Sequence, residues 1–142
     1  MTRDEAVLLL KCHAFAFDDV QHPKMEHGFL GSLRPFRGTL FEENFHELME
    51  IVRVLSPDLS QSAVDREIMS CLWSIVHLGR AWAVEPEGML RRNGLISQKQ
   101  IDQMDQWLGM LSYAIMILLE DGGEKEAFWE YREYVRENAK EQ

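Results

Sequence analysis

The sequence predicts an all-α fold: one domain over residues 1–142, an antiparallel bundle of about five helices around a buried central helix, Arg66 to Val84. Three observations predict it. Apolar residues recur at spacings of three and four in separate stretches, the period of a helix face. Capping-box signatures precede such stretches at Thr2 and Glu5, Thr39 and Glu42, and Ser97 and Gln100, where reciprocal side-chain bonds satisfy the free amides of a helix start. No run resembles a strand hairpin, and no repeat or low-complexity tract is present, so sheets and solenoids are not expected.

The first helix opens at Thr2 and is expected to run to about Asp19, with dense apolar content from Ala6 to Leu10 and from Ala14 to Phe17. From His22 to Gly38, Pro23, Gly28, Gly31 and Pro35 oppose a continuous helix, so this long loop is expected to be functional or folded on itself. A second helix after Thr39 directs Phe45, Leu48, Val52 and Leu55 inward and carries Glu42, Glu43, Glu47 and Glu50 on its solvent side. Ser56, Pro57 and Asp58 then turn the chain.

The central helix is expected to begin near Ser62 or Ala63. Between Glu67 and Arg80 it has no formal charge, and its apolar residues fall on every side, the pattern of a helix packed all round. Ile68, Leu72, Ile75, Gly79 and Trp82 form one seam, and Trp73, His77, Arg80 or Ala81, and Val84 a second. After turn signals from Pro86 to Gly94, Ser97 starts a fourth helix with the seam Ile101, Met104, Leu108, Leu111, Ile115 and Leu118. Gly109 and Ser112 suggest a close crossing with Gly79, and Asp121, Gly122 and Gly123 a stop. The final helix keeps Phe128, Tyr131 and Val135 on one stripe.

Composition excludes some functions. A net charge of -9 argues against non-specific nucleic-acid binding, where phosphate neutralisation dominates affinity, and favours a basic partner. Cys12 and Cys71 lack metal-like spacing and read as reduced core residues. The N-terminal residues lack a signal-peptide pattern, and the longest uncharged apolar run, Trp107 to Leu119, falls short of the roughly 20 residues that span a bilayer. A cytoplasmic protein without membrane association is expected.

Glu43 and His46 have the E-x-x-H spacing of carboxylate-bridged metal bundles but lack a second such pair. Asp18, Asp19, His22 and His27 match no metal template, and nucleophile and nucleotide motifs are absent, so no metal, cofactor or catalytic residue is assigned. His77 and Arg80, on an apolar helix beside Trp73, require partners, supplied by a carboxylate from another helix or by a ligand in a pocket.

Charge placement offers one further inference. In an up-down bundle the loops after the first and third helices share one end. Those loops carry Lys24, Arg34 and Arg37, and Arg91, Arg92 and Lys99, beside two helix N-termini whose amides favour anions. The first expectation is a non-enzymatic protein of immunity, antitoxin or adaptor type, which binds another protein, a basic one being favoured by the net charge, through Glu42, Glu43, Glu47 and Glu50. The alternative is a receptor or small enzyme for a phosphate-containing ligand at Arg34, Arg37, Arg91 and Arg92. A homodimer is also expected, because Trp107, Trp129, Tyr131 and Tyr134 exceed the needs of one packing seam.

Overall fold

The first helix, α1 (Arg3–His13), stops well before Asp19. Thr2 Oγ1 accepts the Glu5 N–H at 3.2 Å, one half of the expected capping pair. At the other end Phe15 takes the left-handed conformation (φ 55°), and the amides of Phe15 and Ala16 close onto Cys12 and Lys11 at 3.0 and 2.8 Å. This double closure leaves Ala14 to Phe17 outside the helix. The computed structural model describes residues 1–140.

A short helix α2 (Pro23–His27) follows, with Pro23 in its first turn and His22 Nδ1 accepting the Lys24 N–H at 3.1 Å. The rest of the long loop folds inward and buries Phe29, Leu30 and Leu33. Gly28 is needed there, because a Cβ at that position lies 2.2 Å from the Lys24 carbonyl oxygen. Next comes α3 (Glu42–Val54), whose N-cap is Phe41 with no side-chain bond, so the Thr39 signature does not cap it. The helix starts at Glu42, too late for Thr39 to reach its free amides.

After α4 (Ser56–Leu59), α5 (Arg66–Gly79) begins later than the Ser62 or Ala63 expected. Asp65 supplies the cap, its carboxylate accepting the Ile68 N–H at 3.1 Å. A π-helical turn, Arg80–Val84, extends α5 and closes with the Glu85 N–H on the Arg80 carbonyl at 2.9 Å. Helix α6 (Met89–Arg92) precedes α7 (Gln98–Leu119), where Ser97 and Gln100 form the complete reciprocal box. The stop after α7 uses Asp121 (φ 58°) as its left-handed residue, with Gly122 N–H reaching Ile117 O at 2.8 Å. The chain finishes with α8 (Glu124–Ala127) and α9 (Trp129–Lys140).

The fold is all-α, with α1, α3, α5, α7 and α9 as five principal helices. Arg3 pairs with Asp58 and His13 with Glu47, so α1 and α3 run antiparallel. Gly38 with Gln100, Phe45 with Trp107 and Ser60 with Leu118 make α3 and α7 run in the same sense. Arg80 pairs with Asp105 at one end of α5, and Met69 lies beside Leu119 at the other, so α5 opposes α7. The chain therefore runs up, down, up, down, and the two basic loops meet at one end.

The Arg66 to Val84 segment corrects one expectation. Its Ile68, Leu72, Ile75 and Gly79 seam is buried, but Trp73 is 69 % exposed and His77 faces solvent. An uncharged helix can still have an open side when no element crosses it, and among the described residues none covers Trp73. The crossing residue opposite Gly79 is Leu108, whose side chain lies 3.1 Å from where a Cβ on Gly79 would sit, whereas a Cβ on Gly109 meets nothing within 4 Å. Gly109 and Ser112 thus do not form the expected crossing.

Among the described residues no helix is long and apolar enough to cross a membrane. Both cysteines are free and buried.

Candidate functional site

The open side of α5 and the neighbouring side of α7 form a groove. From α5 come Met69, Trp73 and Val76, one turn apart along a stripe, and from α7 come Ile115, Met116 and Leu119. Antiparallel packing of these stripes leaves an apolar recess of about 260 Å³ between them. Trp73, Met116 and Leu119 are 69, 46 and 42 % exposed. Ser112 turns its hydroxyl back to the Gly109 carbonyl at 3.2 Å, so this small residue presents little polarity to the recess.

Beyond Trp73 and Val76 the groove continues into a second recess of about 420 Å³, bordered by His77, Arg80 and Glu85. Arg80 Nη1 donates to Asp105 Oδ1 at 2.7 Å, so the arginine finds the carboxylate from another helix that its position requires. His77 is exposed at the margin. Trp73, His77 and Arg80 are therefore brought together, along one wall of a surface trough.

The basic end does not assemble in this way. Arg34 lies over the Trp82 ring at 5.7 Å, Arg37 pairs with Glu26 at 3.4 Å, and Arg91 donates to the Val84 carbonyl at 2.7 Å. Arg92 is exposed. The recess between the N-termini of α3 and α7, about 580 Å³, is bordered by Lys99 and also by Glu42, and by none of these four arginines. At α7 two of the amides at the helix start, those of Ser97 and Gln100, are already taken by each other's side chains.

Three of the four acids of α3 have partners within the chain, although Glu42 and Glu43 are exposed. Glu47 Oε1 accepts from His13 Nε2 at 2.8 Å and lies 3.5 Å from Lys24 Nζ. The His13 bond, helped by Lys24, holds the Glu47 carboxyl below its ordinary range against the opposing effect of burial. His13 is fully buried and its Nδ1 accepts the Phe29 N–H at 2.9 Å, which places the proton on Nε2. Glu50 receives two bonds from Arg53, at 2.6 and 2.9 Å. Glu42 accepts from the Tyr134 hydroxyl at 2.6 Å, and Glu43 is exposed.

That Glu42 bond belongs to an aromatic cluster which seats α9. Phe45 stacks on Trp107 with centroids 5.4 Å apart, and Trp107 Nε1 donates to Tyr134 at 3.1 Å. His46 Nδ1 meets the Tyr131 hydroxyl at 2.6 Å. Burial, followed by the charge of Glu50, pushes Tyr131 up to about 12, so it keeps its proton. His46 is thus half-buried in a packing cluster, while Glu43 is exposed. Trp107 and Tyr134 are buried in the same cluster and Tyr131 is half-buried, so of these four aromatic residues only Trp129, 47 % exposed, is largely open.

Among the described residues no cluster of three or more His, Cys, Asp or Glu is placed to hold a metal ion. Burial, then the Glu47 and Glu67 carboxylates respectively, raises the Cys12 and Cys71 thiols, which opposes formation of nucleophilic thiolate. Sequence reasoning missed the His13 to Glu47 link, which joins distant residues. Met116 lies one turn from Leu119 on the open side of α7.

No protein-family model matches the chain, and no curated protein or solved structure matches it.

Proposed function

We propose that this is a non-enzymatic binding module that captures an apolar segment of another protein in the groove between α5 and α7. The observation that carries the reading is Trp73, a large aromatic side chain 69 % exposed beside an apolar recess. Aromatic residues and methionine are enriched at the centres of protein interfaces, because they supply large, adaptable contact area. The groove takes precedence over the acid side of α3 as the contact surface, since Glu42, Glu47 and Glu50 already have partners within the chain. The overall charge of -9 supports long-range attraction of a basic protein and opposes nucleic acid. Two buried, free thiols fit a reducing, cytoplasmic setting.

The test is selection from a displayed library of random peptides against the purified protein, followed by rebinding to Trp73→Ala and Met116→Glu variants. Selected peptides are expected to be rich in large apolar residues and to lose binding to both variants. Peptides that bind both variants as well as the parent overturn the reading.

A further inference from the structure

We infer that the occupant of the groove is an amphipathic helix whose apolar face is bracketed by lysine or arginine, an inference that rests on the groove being a protein-binding site. Shape argues for a helix. From Met69 to Arg80 the wall extends about 16 Å at 1.5 Å per residue, enough for about three turns of a partner helix. Two parallel ridges with a recess between them receive side chains spaced i, i+3, i+4 and i+7 from a third helix.

Charge decides what flanks the apolar face. The arginine on the margin, Arg80, is neutralised by Asp105 at 2.7 Å. Glu85 borders the same end of the groove. At the opposite end, Leu119 is followed by exposed Glu120 and Asp121, while the C-terminal dipole of α7 and the N-terminal dipole of antiparallel α5 oppose each other. Arg66, at the start of α5, is the exposed base at that end, and it is outnumbered there by these two acids. Both ends of an apolar trough thus favour cations on a molecule of net charge -9. A second copy of the chain brings the same acidic ends and the same net charge, which disfavours self-association through this face.

The inference is tested with three synthetic peptides of about 15 residues that share one leucine and phenylalanine face and differ only in flanks of lysine, glutamate or serine. Binding to the full chain is followed through the Trp73 indole N–H resonance, assigned with Trp73→Phe. The lysine-flanked peptide is expected to bind at least about tenfold tighter than the glutamate-flanked one, with the preference shrinking in about 0.5 M salt. Glu85→Lys with Glu120→Lys is expected to reverse the order. Equal affinity of the lysine and glutamate peptides overturns the basic-helix inference and leaves the groove reading standing. Binding of none of them, binding unaffected by Met116→Glu, or a Trp73 response to zwitterionic lipid vesicles in place of peptides overturns both. Circular dichroism of each variant establishes that the helices are retained.

Discussion

His13 and Glu47 are bonded at 2.8 Å across the packing of α1 on α3, with the histidine ring fully buried and its second nitrogen holding the Phe29 amide. One side chain therefore fixes the end of α1, the inward fold of the long loop and the middle of α3.

Glu47→Ala removes the acceptor from a buried N–H and is expected to cost about 1–3 kcal/mol at neutral pH. Because the folded-state pKa of Glu47 is depressed, its contribution is present above the unfolded value of 4.5 and is lost as pH falls through the folded value. Urea melts are therefore expected to show a full gap between parent and variant at about pH 6–7 that narrows below about pH 4. A gap that widens on acidification contradicts this assignment.

The two sides of α5 are expected to respond differently to truncation. Leu72→Ala or Ile75→Ala empties packed volume at fully buried positions and should cost about 2–5 kcal/mol. Trp73→Ala, at an exposed position, should stay within about 0.5 kcal/mol of the parent. Thermal melts of the three variants check the contrast, and a large loss from Trp73→Ala would show that the groove is covered in the free protein.

The seat of α9 rests on Phe45, Trp107 and Tyr134. Tyr134→Phe removes the hydroxyl that donates to Glu42 and accepts from Trp107, for an expected loss of about 1–2 kcal/mol. Phe45→Ala should cost about 3–5 kcal/mol by emptying the space against the Trp107 ring. Denaturant melts followed by tryptophan fluorescence measure both, and equal losses would show that the stack contributes no more than the hydroxyl.

Phe15 offers a gain. It is 57 % exposed and held at φ 55°, where a non-glycine residue is disfavoured by about 1–2 kcal/mol. Phe15→Gly is expected to raise stability by about 1 kcal/mol, since glycine suits this closure of α1. Destabilisation on calorimetry would show that the partly exposed ring packs more strongly than its backbone is strained.

Cys12 and Cys71 should react slowly with a thiol-specific reagent at about pH 8, because each is buried and burial raises its thiol pKa. In denaturant both should react at the rate of a free thiol. Rapid labelling of the native protein would identify an opening of the core around α1 and α5.

By itself the sequence determined what depends on near neighbours in the chain. The all-α class follows from the periodic seams, the start of α7 from the Ser97 and Gln100 pair, and the buried edge of α5 from Ile68, Leu72, Ile75 and Gly79. Tertiary structure decided what depends on which element lies opposite. Trp73 and Leu72 are adjacent and both apolar, yet one is open and the other sealed, because packing partners cover only one side of α5. Glu47 reads like any acid on a solvated stripe until α1 brings a buried imidazole against it. Arg34, Arg37 and Arg91 share an end of the bundle, but each is engaged by a different group, the Trp82 ring, Glu26 and the Val84 carbonyl. Periodicity fixes a side chain's direction around its own helix axis, whereas exposure and pairing are set by groups brought near only when distant segments pack.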